Sequence, residues 1–202
     1  MRRLLASLAV AGALLAACGP PKPSPSPTAS PSPVTTSASP SPSPAPSPSS
    51  AGGLLQIADE GKLTQSVTLH PGECHAVGQL PDPFCTPGST DPAVTQATIG
   101  KTICVTGWTS TVRPPSGETT PFKYDVAYPA YGIAQGAASE LDHLVPLELG
   151  GSNDATNLWP EAGSLPNPKD SVENDLRADV CAGEMSLAVA QNAIAADWQT
   201  AP

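Results

Sequence analysis

Residues 19–53, GPPKPSPSPTASPSPVTTSASPSPSPAPSPSSAGG, limit what this chain can fold into, because proline recurs at nearly every second or third position and apolar side chains are almost absent. Such a stretch has nothing with which to build a core. Proline-rich chains favour an extended polyproline conformation rising about 3.1 Å per residue, so the stretch reads as a tether reaching roughly 100 Å. Folding is left to residues 54–202, which have the usual size of one domain with its own core.

Ahead of the tether, Met1-Arg2-Arg3 and the apolar run Leu4 to Ala17 read as a secretory signal over residues 1–17, too short to span a membrane comfortably. The run ends in Leu15-Ala16-Ala17-Cys18, which resembles a bacterial lipobox. That resemblance implies an acylated Cys18, residues 18–53 as a lipidated tether, and a domain held at the bacterial cell surface or in the periplasm. Each buried methylene of an acyl chain contributes about 0.8 kcal/mol to such an anchor.

The domain is acidic. Its basic residues are Lys62, Lys101, Arg113, Lys123, Lys169 and Arg177, against all 18 acidic residues of the chain. A surface of this sign repels polyanions at long range, so tight, salt-sensitive, non-specific nucleic-acid binding is not what the composition predicts. With Cys18 committed to lipid, Cys74, Cys85, Cys104 and Cys181 remain, and an even number in an exported domain suggests two disulfides. Three pairings exist. Cys74 with Cys85 and Cys104 with Cys181 is preferred, the second tying an early strand to a late helix. A zinc site at Cys74-His75 lacks the CxxC spacing such sites use.

Between Leu54 and Asp91 turn residues are dense, and one short strand is expected around Ser66 to Leu69. The β-branched and aromatic runs Thr98-Ile99, Thr102 to Val105 and Trp108 to Val112 predict two or three short strands. YDVAYPAYGI predicts a short helix or turn broken at Pro129. Further on, Val172, Leu176 and Val180 recur at helical spacing within Lys169 to Val180, and Leu187, Ala190, Ile194 and Trp198 line a second helix with Ser186 as its N-cap. These apolar stripes read as core contacts.

The chemistry concentrates in ELDHLVPLELGGSNDATNLWPE, residues 140–161. Asp142 and His143 on a regular strand would point to opposite faces, so a shared centre requires the strand to end or bulge there; Pro146 supplies an interruption. Leu147 to Asp154 is then a connecting loop turned by Gly150-Gly151, and Asn157-Leu158-Trp159 the returning strand. A carboxylate that binds a hard cation, a histidine that takes a proton from water and an amide that holds the histidine suit metal-assisted phosphodiester hydrolysis. Glu140 and Glu148 read as surface acids, Glu148 near enough to tune the site, and Trp159 as a core plug. His70 and His75 have no comparable setting.

LDHLVPLELGGSNDATNLWPE with PKDSVENDLRADVCAGEMSLAVAQNAIAADW resembles the HNH family of ββα-metal nucleases, in particular its small exported bacterial lipoprotein branch. The likeness runs back to DPAVTQATIGKTICVTGWTSTVR and covers Asp91 to Trp198. It implies an α+β fold: a ββα-metal hairpin–helix core at residues 139–181 with additional short strands and C-terminal helices, stabilised by disulfides. It implies a metal-dependent endonuclease cleaving nucleic acid outside the cytoplasm, DNA ahead of RNA, as a monomer with one divalent cation, Mg²⁺ first and Mn²⁺ next. By position Asp142 resembles the metal-binding Asp, His143 the general base and Asn157 the residue that orients it, with Asp170 or Asn174 as the last ligand. Basic residues near Lys169 are sparse, Ser171 standing where an Arg would help hold a phosphate, which leaves Arg113 and Lys169 for phosphate contact. The alternatives are a non-catalytic surface binding module on a degenerate HNH scaffold and a phosphodiesterase acting on a cell-envelope polymer.

Overall fold

The computed structural model describes residues 53–202, so the expectations for the signal, for Cys18 and for nearly all of the tether lie outside the described residues. The domain is mixed α+β with two small sheets. β1 (Leu55–Gln56) pairs in parallel with β2 (Ser89–Thr90), and β3 (Ser139–His143) pairs antiparallel with β4 (Leu158–Ala162). No helix among the described residues is long and apolar enough to cross a membrane.

Two of the strand expectations fail. No strand forms at Ser66–Leu69; the neighbouring Thr64 makes only an isolated bridge to Asp154. The runs between Thr98 and Val112 are helical turns instead: a 3-10 turn at Ile99–Lys101 and a short helix, α1 (Trp108–Val112). Their threonines explain this, since Thr102 Oγ donates to the Thr98 carbonyl and Thr111 Oγ to that of Trp108. Local bonds of this kind compete with a sheet ladder where no partner strand is at hand.

Helix also continues where a break was expected. α2 (Ser116–Pro121) runs through a π-helical stretch, Phe122–Ala127, into α3 (Tyr128–Tyr131). Pro129 lies inside the continuous run, just past the π-helical stretch where the regular i→i−4 ladder is already interrupted, and Gly132 at φ 64° ends the run.

The C-terminal helices form as their periodicity requires. α4 (Lys169–Ala182) buries Leu176 and Val180; α5 (Leu187–Asp197) buries Leu187, Ala190 and Ile194, with the Ser186 side chain accepting from Val189 N. Together with Val94, Ile103, Val145, Leu149 and Trp198 they make the main core. A second cluster sets Phe122, Ala127 and Leu158 under the hairpin, and a third packs Trp159 on Tyr131, Cys74 and Cys85.

The disulfides are Cys74–Cys85 and Cys104–Cys181, with Cα–Cα distances of 5.9 and 5.6 Å. The second ties α4 to a turn rather than to a strand. Two disulfides fit an oxidising, extracytoplasmic setting.

The loop between β3 and β4 turns on the glycine pair. Gly150 adopts φ 75°, and a Cβ on Gly151 would stand 1.7 Å from the Val145 carbonyl oxygen, so neither position admits a side chain.

Candidate functional site

Strand alternation divides the chemistry of the hairpin. Leu141 and His143 face one side of β3, Glu140 and Asp142 the other. β3 ends at His143 without a bulge, so the aspartate and the histidine look in opposite directions.

On the histidine side lies a cleft walled by Leu141, Leu158, Thr119 and Thr120, with Arg113 and Lys123 beside it. Arg113 is exposed where α1 gives way to α2. Lys123 donates to the Ser139 carbonyl at 2.7 Å, its ammonium 5.5 Å from the ring centres of Tyr124 and Tyr128. His143 is only 8% exposed. Burial holds its ring well below the usual histidine value, down to about 4; the bond to Asn153 and the charge of Asp142 oppose this, while Arg113 and Lys169 reinforce it. The imidazole is therefore neutral at physiological pH, as a base must be.

The ring partner is Asn153, not Asn157. His143 Nε2 lies 2.9 Å from Asn153 Oδ1. The Asn153 Nδ2 donates to Asp59 Oδ1 and to the Val112 carbonyl, each at 2.9 Å, and its main-chain N donates to Asp59 Oδ2 at 2.6 Å. Asn157, expected to orient the histidine, binds the loop instead: Oδ1 accepts from Val145 N, and Nδ2 donates to the carbonyls of Val145 and Ser152, all at 2.9 Å. It braces the backbone two residues beyond His143. A fully buried amide closes a loop whose own carbonyls would otherwise lack donors.

On the opposite face, Asp142 Oδ2 accepts from Lys169 Nζ at 2.9 Å. The same ammonium reaches Glu173 Oε1 at 2.5 Å and the His143 carbonyl at 2.7 Å. Lys169 is 1% exposed, which removes it from the expected role of phosphate contact. Burial alone would lower its pKa, but the Asp142 and Glu173 carboxylates outweigh that and hold it above its ordinary value. The expected last ligands do not converge on Asp142 either. Asp170 Oδ2 caps its own turn by accepting from Asn167 N, and the exposed Asn174 donates to the Asp170 carbonyl.

What converges is a pair of acids from the strands. Glu140 and Glu161 are direct cross-strand partners, and each offers a carboxylate oxygen within 4.8 Å of one on Asp142. Glu161 is 1% exposed; neither of its oxygens, nor Glu140 Oε1, has a hydrogen-bond donor among the described residues. Burial pushes both glutamates up from the ordinary carboxylate value, and the charge of Asp142 adds to it. These three carboxylates are the group among the described residues that could hold a hard cation, with Asp142 already sharing its charge with Lys169. Glu148, near α4, adds repulsion at Glu173, whose pKa burial also raises.

Four groups escape sequence reasoning: Lys123, Asn153, Glu161 and Asp59. Glu161 was within reach, since counting the expected hairpin in register sets it opposite Glu140. Asn153 sits in the connecting loop beside the glycine pair, whereas Asp59, 94 residues from Asn153, carries no local signal. No family model, curated protein or solved structure matches the chain.

Proposed function

We propose that the domain is a phosphodiester hydrolase of the HNH type, cleaving nucleic acid outside the cytoplasm, DNA ahead of RNA, as a monomer held to a membrane through Cys18. The observation that carries this reading is His143, kept neutral by burial and bonded through Nε2, in a cleft edged by two cationic side chains. His143 takes a proton from the attacking water. Arg113 and Lys123 meet the charge of the phosphate, the first from an exposed position at the cleft and the second from its wall. A divalent cation, Mg²⁺ before Mn²⁺, would be held by Asp142 with Glu140 and Glu161; those carboxylates lie on the face of β3 away from the cleft, so it would act on the strand that carries His143 and not by direct contact with a phosphate in the cleft.

A second reading has its own support. Lys169 already brings a positive charge to Asp142, and alternation turns that carboxylate away from the cleft. Both features favour a binding module that keeps the scaffold without turnover.

Plasmid incubated with the purified protein separates the two. Nicking with Mg²⁺ or Mn²⁺ that EDTA stops and His143→Ala lowers by 100-fold or more supports the hydrolase. Equal inertness of wild type and His143→Ala across metals and across DNA and RNA leaves the binding module.

A further inference from the structure

The amide of Asn153 has one orientation open to it. Both hydrogens of Nδ2 are spent, one on Asp59 Oδ1 and one on the Val112 carbonyl, at 2.9 Å each. Reversing the amide would set its oxygen against two acceptors. Asp59 strengthens the preference, since its second oxygen takes the Asn153 main-chain N–H at 2.6 Å and the carboxylate itself is only 5% exposed. The oxygen of Asn153 therefore faces His143 Nε2, and an amide oxygen can only accept. The ring proton belongs on Nε2. Nδ1 is left with its lone pair and has no partner among the described residues.

We propose that Asn153, anchored by Asp59, is a positioning residue that selects the Nε2–H form of His143 and so makes Nδ1 the nitrogen offered to the cleft. Asp59 lies outside the segment that carries the nuclease resemblance; the histidine's tautomer is set from the far N-terminal end of the domain. The bond to the Val112 carbonyl gives the clamp a second effect. It fastens the end of α1, so Arg113, the next residue, is held at the same cleft by the group that orients the base. A carboxylate, an amide and an imidazole in series make a chain in which the outer acid fixes the amide and the amide fixes the ring, without any charge reaching the ring itself.

What the bare nitrogen is for rests on the hydrolase reading; the tautomer does not. Long-range ¹H–¹⁵N spectra of the purified protein report ring tautomers directly, with His143 assigned by the signal lost in His143→Gln. Wild type is expected to show a single Nε2–H form with a ring N–H protected from exchange. Asn153→Ala is expected to move the ring signals toward those of a free, averaging imidazole and to lose that protection. Asp59→Asn, which keeps shape and removes one acceptor, moves them the same way by less. In plasmid cleavage Asn153→Ala lowers kcat by about 100-fold, the signature of a misplaced base, and raises KM as Arg113 loosens. A wild-type ring found as Nδ1–H, or averaging as freely as in Asn153→Ala, overturns the clamp whatever the activity. A fixed Nε2–H ring in a protein inert on both DNA and RNA with Mg²⁺ and with Mn²⁺ overturns the hydrolase and leaves the clamp standing.

Discussion

Lys169 is the residue on which the acidic face depends. Its ammonium is shared among Asp142, Glu173 and the main chain of β3, with almost no water in reach. Breaking a buried ion pair by removing one partner leaves the other charge uncompensated and costs about 3–5 kcal/mol. Lys169→Met keeps the length of the stem and is expected to lose about that much, read from urea denaturation, with Asp142→Asn recovering part of it. A lysine reads from sequence as a surface charge because lysines are almost never fully buried. Its place here is decided by carboxylates on β3 and on the next turn of α4, and only the first of these requires knowing the tertiary structure.

At the level of elements, the hairpin holds because its loop has no spare room. Gly151→Ala drives a methyl into the Val145 carbonyl and toward Asn157 Nδ2, with expected destabilisation of roughly 2 kcal/mol or more and a lowered Tm. Gly100→Ala, which meets nothing within 4 Å and needs no positive φ, serves as the control and leaves Tm nearly unchanged. The hairpin, α4, α5 and the Ser186 cap were legible in the sequence because each carries a period, a turn or a cap that acts over a few residues. The threonine-rich runs around Cys104 were not, because β-branched residues form strands only where a neighbouring strand receives them, and Ile103 alone of Ile103 to Val105 is buried. His143 and Asp142 were legible as neighbours on the first strand of a hairpin, yet their division between two faces turned on whether β3 bulged, which spacing alone left open.

For the domain as a whole, Asp154 joins segments far apart in the chain. It accepts from Thr64 and Ser66, some 90 residues upstream, as well as from Thr156. Burial acts to raise this carboxyl, but the bonds donated to it prevail and hold it below its ordinary value. A depressed acid stabilises the fold above its unfolded pKa of about 3.9, and that contribution is lost as the pH falls through the folded value. Glu140 and Glu161 act with the opposite sign: raised by burial, they favour the folded state while protonated, and their contribution is lost as the pH rises past about 4.3. His143 opposes the glutamates, because between its unfolded value of about 6.5 and about 4 only the unfolded ring takes up a proton, and stability falls as the pH falls. Glu161→Gln is therefore expected to lessen the stability lost as the pH rises past about 4.3, and Asp154→Asn to flatten the acid limb, both measurable by denaturation across pH.

Cys104 and Cys181 close a covalent ring 77 residues in span. Arg113, Lys123, Asp142, His143, Asn153, Asn157 and Lys169 all lie inside it, while Asp59 lies outside. The exposed segment 163–166 between β4 and α4 is the natural place for a protease to cut. A single cut there opens the ring without releasing either part, so His143 and the buried lysine stay on one molecule for as long as the disulfide stays oxidised.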